Sequence, residues 1–280
     1  MKPGRASQTA VLVCAGRAVA HGSHGFSDPT ALALLPADSR ARVERFRAGE
    51  QPSGLRERIR HLYLARHSRI MAVRTIAIDD AIRSAAAPQV VILGAGLDGR
   101  AWRLAALQGA TVFEVDHPDS QRDKRAGVAA LRPVAGDIRF VPIDFTTGDL
   151  DRVLAAAGHD RARRTFWIWE GVVMYLTPAD VAATLAVIAR RSAPGSELTI
   201  LYHSPSLMLH VVRPIVKRLG EPLRSTFTPA AMRDLLAAHR FVTLRDRSLA
   251  ELGATFPPPL PRATRVASHL RLTVAAYHPA

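Results

Sequence analysis

The chain has 280 residues, 48% of them hydrophobic, and a formal net charge of +14 at pH 7. This length is enough to bury a sizeable core. No uninterrupted run of 18 apolar residues occurs, which argues against a transmembrane helix, and the single cysteine, Cys14, excludes a disulfide framework and a cysteine-rich zinc site.

The first twenty residues, MKPGRASQTAVLVCAGRAVA, superficially resemble a signal peptide. The apolar run is short, Arg17 interrupts it and no cleavage site follows, so the segment reads as an amphipathic helix over residues 7–21. A cytoplasmic protein without a membrane partner is expected. A second helix is expected over 28–48, with Asp28 and Pro29 suiting its N-cap and first turn. Residues 55–83 form a longer helical stretch, as one helix or two, with Ile59, Leu62, Ile70 and Val73 at helical spacing. Residues 40–74 hold ten arginines against Glu44, Glu50 and Glu57, a net of +7 and half the total of the chain. Such a stretch fits a nucleic-acid surface, an attractor for a small anion, or a solvated helix face.

From residue 89 the pattern alternates. Strands are expected at 89–93 (QVVIL), 111–115, 138–143, 165–170 (TFWIWE) and 196–202, with helices at 98–108, 118–131, 147–157 and 177–191. Thr177 and Pro178 supply the N-cap and first position of the last of these. This alternation implies a mainly parallel, doubly wound sheet. Residues 204–227 break it with a basic insertion. A helix at 228–239 and strands at 241–246 and 269–278 follow, with FPPPLPR (256–262) as a loop between them. Two final strands with no long helix between them suggest an antiparallel finish.

Gly94, Gly96 and Gly99 spell G-x-G-x-x-G directly after the first strand. Such a turn lets backbone approach a ligand closely, and an acid ending the second strand would accept ribose hydroxyls. Glu114 and Asp116 both occupy that end, their side chains on the same face of the strand. The turn suits a dinucleotide and S-adenosylmethionine equally. Three features favour the second. About 88 residues precede the strand, Asp98, Arg100 and Arg103 crowd the turn, and the sheet ends antiparallel.

Taken together, LGAGLDGRAWRL, FEVDHPDSQRDKR, FVPIDF and WIWEGVVMYLTPADV resemble the leucine carboxyl methyltransferase family, in particular its bacterial branch, over roughly residues 60–205. The resemblance implies a class I methyltransferase fold, Rossmann-like, α/β and doubly wound. Its seven strands would run 3-2-1-4-5-7-6 in one domain over 1–280. Residues 1–87 would form a helical cap, 88–203 the cofactor-binding core, 204–227 a lid insertion, and 228–280 the end of the sheet. It implies S-adenosylmethionine as cofactor and a carboxylate oxygen as the usual acceptor.

Residue by residue, Arg74 matches the arginine that pairs with the cofactor's methionine carboxylate. Gly94, Ala95 and Gly96 match the turn beside the methionine and ribose, and Asp116, with Glu114 as competitor, matches the ribose acid. Asp144 and Phe145 match the acid-plus-apolar pair beside adenine. Glu170 matches an acid facing the cofactor near the methyl group. No metal is expected.

A carboxylate acceptor needs no general base, whereas a hydroxyl acceptor does. The histidines available for that role are His203 and His24, with Tyr202 and Tyr175 as hydrogen-bond donors. The basic lid residues Arg213, Lys217, Arg218 and Arg224 suit an anionic small-molecule or peptide acceptor. Nucleic acid is not expected, because the fourth strand is followed by Glu-Gly-Val-Val rather than an Asn/Asp-Pro-Pro-aromatic motif. An NAD(P)-dependent oxidoreductase and a non-catalytic S-adenosylmethionine-binding protein are the alternative readings.

Overall fold

A computed structural model describes residues 8–145, 148–206, 209 and 223–279. Its centre is a seven-stranded sheet of order β3-β2-β1-β4-β5-β7-β6. The strands are β1 (Gln89–Leu93), β2 (Thr111–Asp116), β3 (Asp137–Pro142), β4 (Thr165–Trp169), β5 (Glu197–His203), β6 (Phe241–Ser248) and β7 (Leu270–Tyr277). β1 to β5 are parallel, and β7 joins β5 and β6 antiparallel. QVVIL and TFWIW are buried along their whole length, as parallel strands covered on both faces must be.

Strand parity divides the core. Val90, Ile92, Val112, Phe166, Ile168 and Leu201 face the N-terminal helices. These are α1 (Gln8–Ala20), α2 (Ala31–Leu34), α3 (Ala37–Arg47) and α4 (Leu55–Ala85), and they bury Cys14, Leu34, Val43, Ile78 and Ile82 against that face. Also on this side are α5 (Arg100–Arg103) and α6 (Pro118–Val128). Val91, Leu93, Phe113, Trp167 and Ile200 face the other way, toward α7 (Leu150–Ala156), α8 (Pro178–Arg190) and α9 (Pro229–Ala238). Thr177 and Thr228 cap α8 and α9 through their side chains, each followed by proline.

Several boundaries differ from expectation. The helix expected over 28–48 breaks into α2 and α3, because Pro36 donates no hydrogen bond and pushes Leu35 to extended backbone (φ −77°, ψ 141°). Residues 55–85 form one uninterrupted helix. The helix expected over 98–108 is α5 plus a 3-10 turn at Ala105–Leu107, since the backbone turns extended at the buried Leu104. The presumed loop at 256–262 contains the start of a short helix, α11 (Leu260–Thr264), and α10 (Leu249–Gly253) precedes it. Most of the expected lid, including Arg213, Lys217 and Arg218, lies outside the described residues, as do Ser7, Thr146 and Thr147. Among the described residues, no helix is long and apolar enough to cross a membrane.

Candidate active site

The parallel strands reverse their spatial order between β1 and β4, and the carboxyl ends of neighbouring strands form a crevice at that point. The sequence-predicted residues follow β1 (Gly94), β4 (Glu170) and β3 (Asp144, Phe145) or end β2 (Asp116) and β5 (His203). Gly94 and Gly96 both adopt positive φ (71° and 45°), which explains the glycines chemically. Gly96 N–H donates to Asp116 Oδ2 at 2.5 Å, and His117 N–H donates to Asp116 Oδ1 at 2.6 Å. Ala10 of α1 packs against Gly96, and Val172 of the loop after β4 covers Gly94. The Tyr175 hydroxyl reaches Thr9 Oγ1 of α1 at 3.5 Å, joining α1 to the 3-10 turn after β4.

Glu114 and Asp116 share a face of β2 but not a role. Glu114 is fully buried, 2.6 Å from Lys124 Nζ of α6. Burial pushes its carboxyl up to about 7 against the pull of Lys124. Asp116 is left as the acid at the glycine turn.

Below the turn lies a buried charge network. Glu170 Oε1 pairs with Arg74 Nε at 2.5 Å, and its Oε2 accepts from Arg100 Nη1 at 2.9 Å. Arg100 also pairs with Asp98 and with Asp79, the latter at 2.7 Å. Arg103 pairs with Asp79 at 2.7 Å and with Asp28 at 3.5 Å. Arg17 pairs with Asp28 at 3.0 Å and donates to the Leu97 carbonyl of the glycine turn at 2.5 Å. Four arginines thus face four carboxylates. Burial alone would raise Glu170, but Arg74 and Arg100 outweigh it and hold the carboxyl below its ordinary value. Burial pushes Arg74 down, and Glu170 counters it.

Sequence reasoning missed Arg17, Asp28, Thr30 and Asp79 as parts of this site. One signal was visible: an arginine inside the apolar stretch VLVCAGRAVA needs a buried partner. The third glycine of the motif also has a structural occupant. A Cβ on Gly99 would lie 1.9 Å from Thr30 Oγ1, and that hydroxyl donates to Asp28 at 2.6 Å.

The remaining candidates separate by strand parity. His203 falls on the face toward α4, and Arg74 contributes to its electrostatic environment. Its ring lies 5.2 Å from that of His269. Burial, with His269 and Arg74 adding to it, lowers His203 to about 3. The structure does not bring Tyr202 to this cluster. Its side chain faces the opposite core, and its hydroxyl donates to Asp246 at 2.6 Å. His24 is exposed in the turn after α1. Asp144 is exposed, and Phe145 packs partly against the second core. Arg224 donates its backbone N–H to Met174 at 2.7 Å. Cys14 is buried and raised to about 11 by that burial. No cluster of three or more His, Cys, Asp or Glu that could hold a metal occurs among the described residues.

The site fits the cofactor expected from sequence by its donor set. It offers a guanidinium for a carboxylate at Arg74, an acid for vicinal hydroxyls at Asp116, and a glycine turn in positive φ between them.

Comparisons with known proteins bear on the family and the fold. The model of the leucine carboxyl methyltransferase family matches residues 10–189. A Mycolicibacterium gilvum (strain PYR-GCK) protein named "Putative S-adenosyl-L-methionine-dependent methyltransferase" is 34% identical over 277 residues, covering 91% of this chain and 87% of that protein. A relative of the same name from Mycobacterium avium (strain 104) is 39% identical over 203 residues, with 70% of this chain and 66% of the relative covered. The chain thus spans about two thirds of the length of some relatives. Among solved structures, a duf574 family protein from Streptomyces avermitilis superposes with a TM-score of 0.65 at 11% identity, over 98% of this chain and 99% of the other. A "putative methyltransferase" from Thermobifida fusca YX gives 0.60 at 16% identity, over 99% and 97%. These two show the shared fold.

Proposed function

The chain belongs to the leucine carboxyl methyltransferase family, and from that premise we propose that it binds S-adenosylmethionine at the ends of β1, β2 and β4 and methylates a carboxylate of an anionic small molecule or peptide. When bound, S-adenosylmethionine supplies a methyl group already activated on a sulfonium. The work left to the protein is alignment and electrostatics.

In this reading Arg74 takes the carboxylate of the methionine portion through a planar guanidinium. Asp116 accepts from the ribose hydroxyls. Asp144 and Phe145 border the adenine. Glu170 holds the Arg74 guanidinium in place and puts negative charge beside the sulfonium. The single observation that carries the reading is the pairing of Arg74 with Glu170 at the switch point, one strand end from the Asp116-bound glycine turn.

The surroundings of His203 and Tyr202 support a carboxylate acceptor. A group lowered to about 3 is a weak base, and the Tyr202 hydroxyl is committed to Asp246. A hydroxyl acceptor would need a base poised near neutral pH, whereas a carboxylate is already ionised. The test is incubation with methyl-labelled S-adenosylmethionine and a panel of carboxylate and phenol acceptors, followed by mild alkali. Label released as volatile methanol marks a methyl ester. Label that survives alkali marks an ether and removes the carboxylate assignment.

A further inference from the structure

The first turns of α4 project an apolar face away from the protein. Leu55, Ile59, Leu62 and Tyr63 are 74%, 59%, 69% and 54% exposed. At one residue per about 100° of helix, these four fall within a single arc of about 100°, a continuous stripe along the helix. Leu64, Ser68 and Met71 are buried on the opposite side, so the stripe is turned outward. Arg56 and Arg60 border it on one flank and Arg58 on the other, while Arg66 continues its line; all four are exposed. The one acid of this segment, Glu57, lies outside the arc and accepts from Ser53 at 2.9 and 2.8 Å. Exposed Arg42, Arg45 and Arg47 of α3 extend the basic surface, since Phe46 stacks on His61 of α4 with ring centroids 4.3 Å apart.

Charge decides what can cover this face. A second copy would bring the same arginines into opposition. The segment 210–222 carries Arg213, Lys217 and Arg218 against Glu221, and residues 1–7 carry Lys2 and Arg5, so both have the wrong sign. The occupant must be anionic and must accept a convex single helix rather than fill a groove. An apolar arc with arginines on both flanks suits a lipid interface: the aliphatic side chains enter the acyl boundary and the guanidinium groups stay at the phosphates. We propose that the N-terminal half of α4 docks this protein on an anionic membrane surface. This departs from the expectation of no membrane partner, which rested on the lack of a spanning helix; that no helix among the described residues could cross a membrane does not bear on a helix lying in the interface.

The test is co-sedimentation of the whole chain with vesicles of phosphatidylcholine alone and of phosphatidylcholine with phosphatidylglycerol. The protein should pellet with the phosphatidylglycerol vesicles and be released as salt rises from about 0.05 to about 0.5 M. A Leu55→Ser/Ile59→Ser/Leu62→Ser variant should lose about tenfold in vesicle affinity while keeping its fold by circular dichroism, since all three side chains are mostly exposed. Arg56→Gln/Arg60→Gln should weaken binding and flatten its salt dependence. Three results would overturn the proposal. Wild-type protein that stays in the supernatant with phosphatidylglycerol vesicles would leave the face to an acidic protein partner. Equal binding to phosphatidylcholine alone would remove the anionic requirement. A triple serine variant that binds like wild type would reduce the attraction to net charge.

Discussion

Glu170 bridges Arg74 and Arg100, with one carboxylate oxygen 2.5 Å from Arg74 Nε and the other 2.9 Å from Arg100 Nη1. Arg100 has Asp79 and Asp98 besides. Arg74 has Glu170 as its one ion-pair partner among the described residues. Among the described residues, the guanidinium at the crevice is therefore oriented by a single carboxylate.

If Arg74 receives the methionine carboxylate, Arg74→Met removes a charge-assisted, two-point contact. Such contacts contribute about 1.5–3 kcal/mol, so the dissociation constant for S-adenosylhomocysteine should rise about 10- to 100-fold in calorimetric titration. Arg74→Lys should recover only part of this, because an ammonium cannot present the fork. Wild-type affinity in the methionine variant would remove Arg74 from the ligand site.

Glu170→Gln keeps the shape and deletes the charge. It leaves Arg74 buried without an ion pair, and breaking a buried pair in this way costs about 3–5 kcal/mol. The urea midpoint should fall at constant slope. A variant as stable as wild type would mean that water already satisfies Arg74.

Acid should destabilise the fold before most carboxylates titrate; Glu114, pushed up to about 7 by burial, favours the fold as pH falls through that window but is one group against three histidines. His67 and His159 are lowered to about 4 and His203 to about 3, in each case chiefly by burial. Their folded values lie below the ordinary 6.5, so the unfolded chain binds protons first as pH falls. The stability they contribute is complete above about 6.5 and is lost progressively toward 4, at up to about 1.4 kcal/mol per pH unit for each histidine. Melting temperature between pH 7 and 5 should therefore drop, and His203→Gln should flatten the slope. A pH-independent melting temperature over that range would contradict the neutral, buried state of these rings.

The motif's third glycine should behave unlike the first two. Gly99→Ala would place a Cβ 1.9 Å from Thr30 Oγ1, an overpacking that costs about 1–3 kcal/mol. Melting temperature should fall while ligand affinity of the folded protein stays at the wild-type value. Loss of affinity without loss of stability would place Gly99 against the ligand instead.

The sheet was legible because local signals and global topology agree. QVVIL and TFWIW are continuous apolar runs, and Thr-Pro pairs open α8 and α9. The break at Pro36 had a signal that the expected single helix over 28–48 passed over, since proline excludes the residue before it from helical backbone. The grouping of Tyr202 with His203 likewise overlooked that neighbours on a strand face opposite sides. The charge network was not legible. Its pairs join Arg17 to Asp28, Arg74 to Glu170, and Asp79 to both Arg100 and Arg103. Most of these partners lie far apart in sequence and are matched only by tertiary packing. Position along β2 could not separate Glu114 from Asp116; Lys124, reaching in from α6, does so.

The most direct measurement is calorimetric titration of the purified chain with S-adenosylhomocysteine, NAD and NADP, repeated on Arg74→Met. Binding of S-adenosylhomocysteine alone, weakened at least about tenfold by the substitution, is the result expected of a methyltransferase site at the β1–β4 switch point. Binding of NAD or NADP in its place would make the glycine turn a dinucleotide site and contradict that assignment.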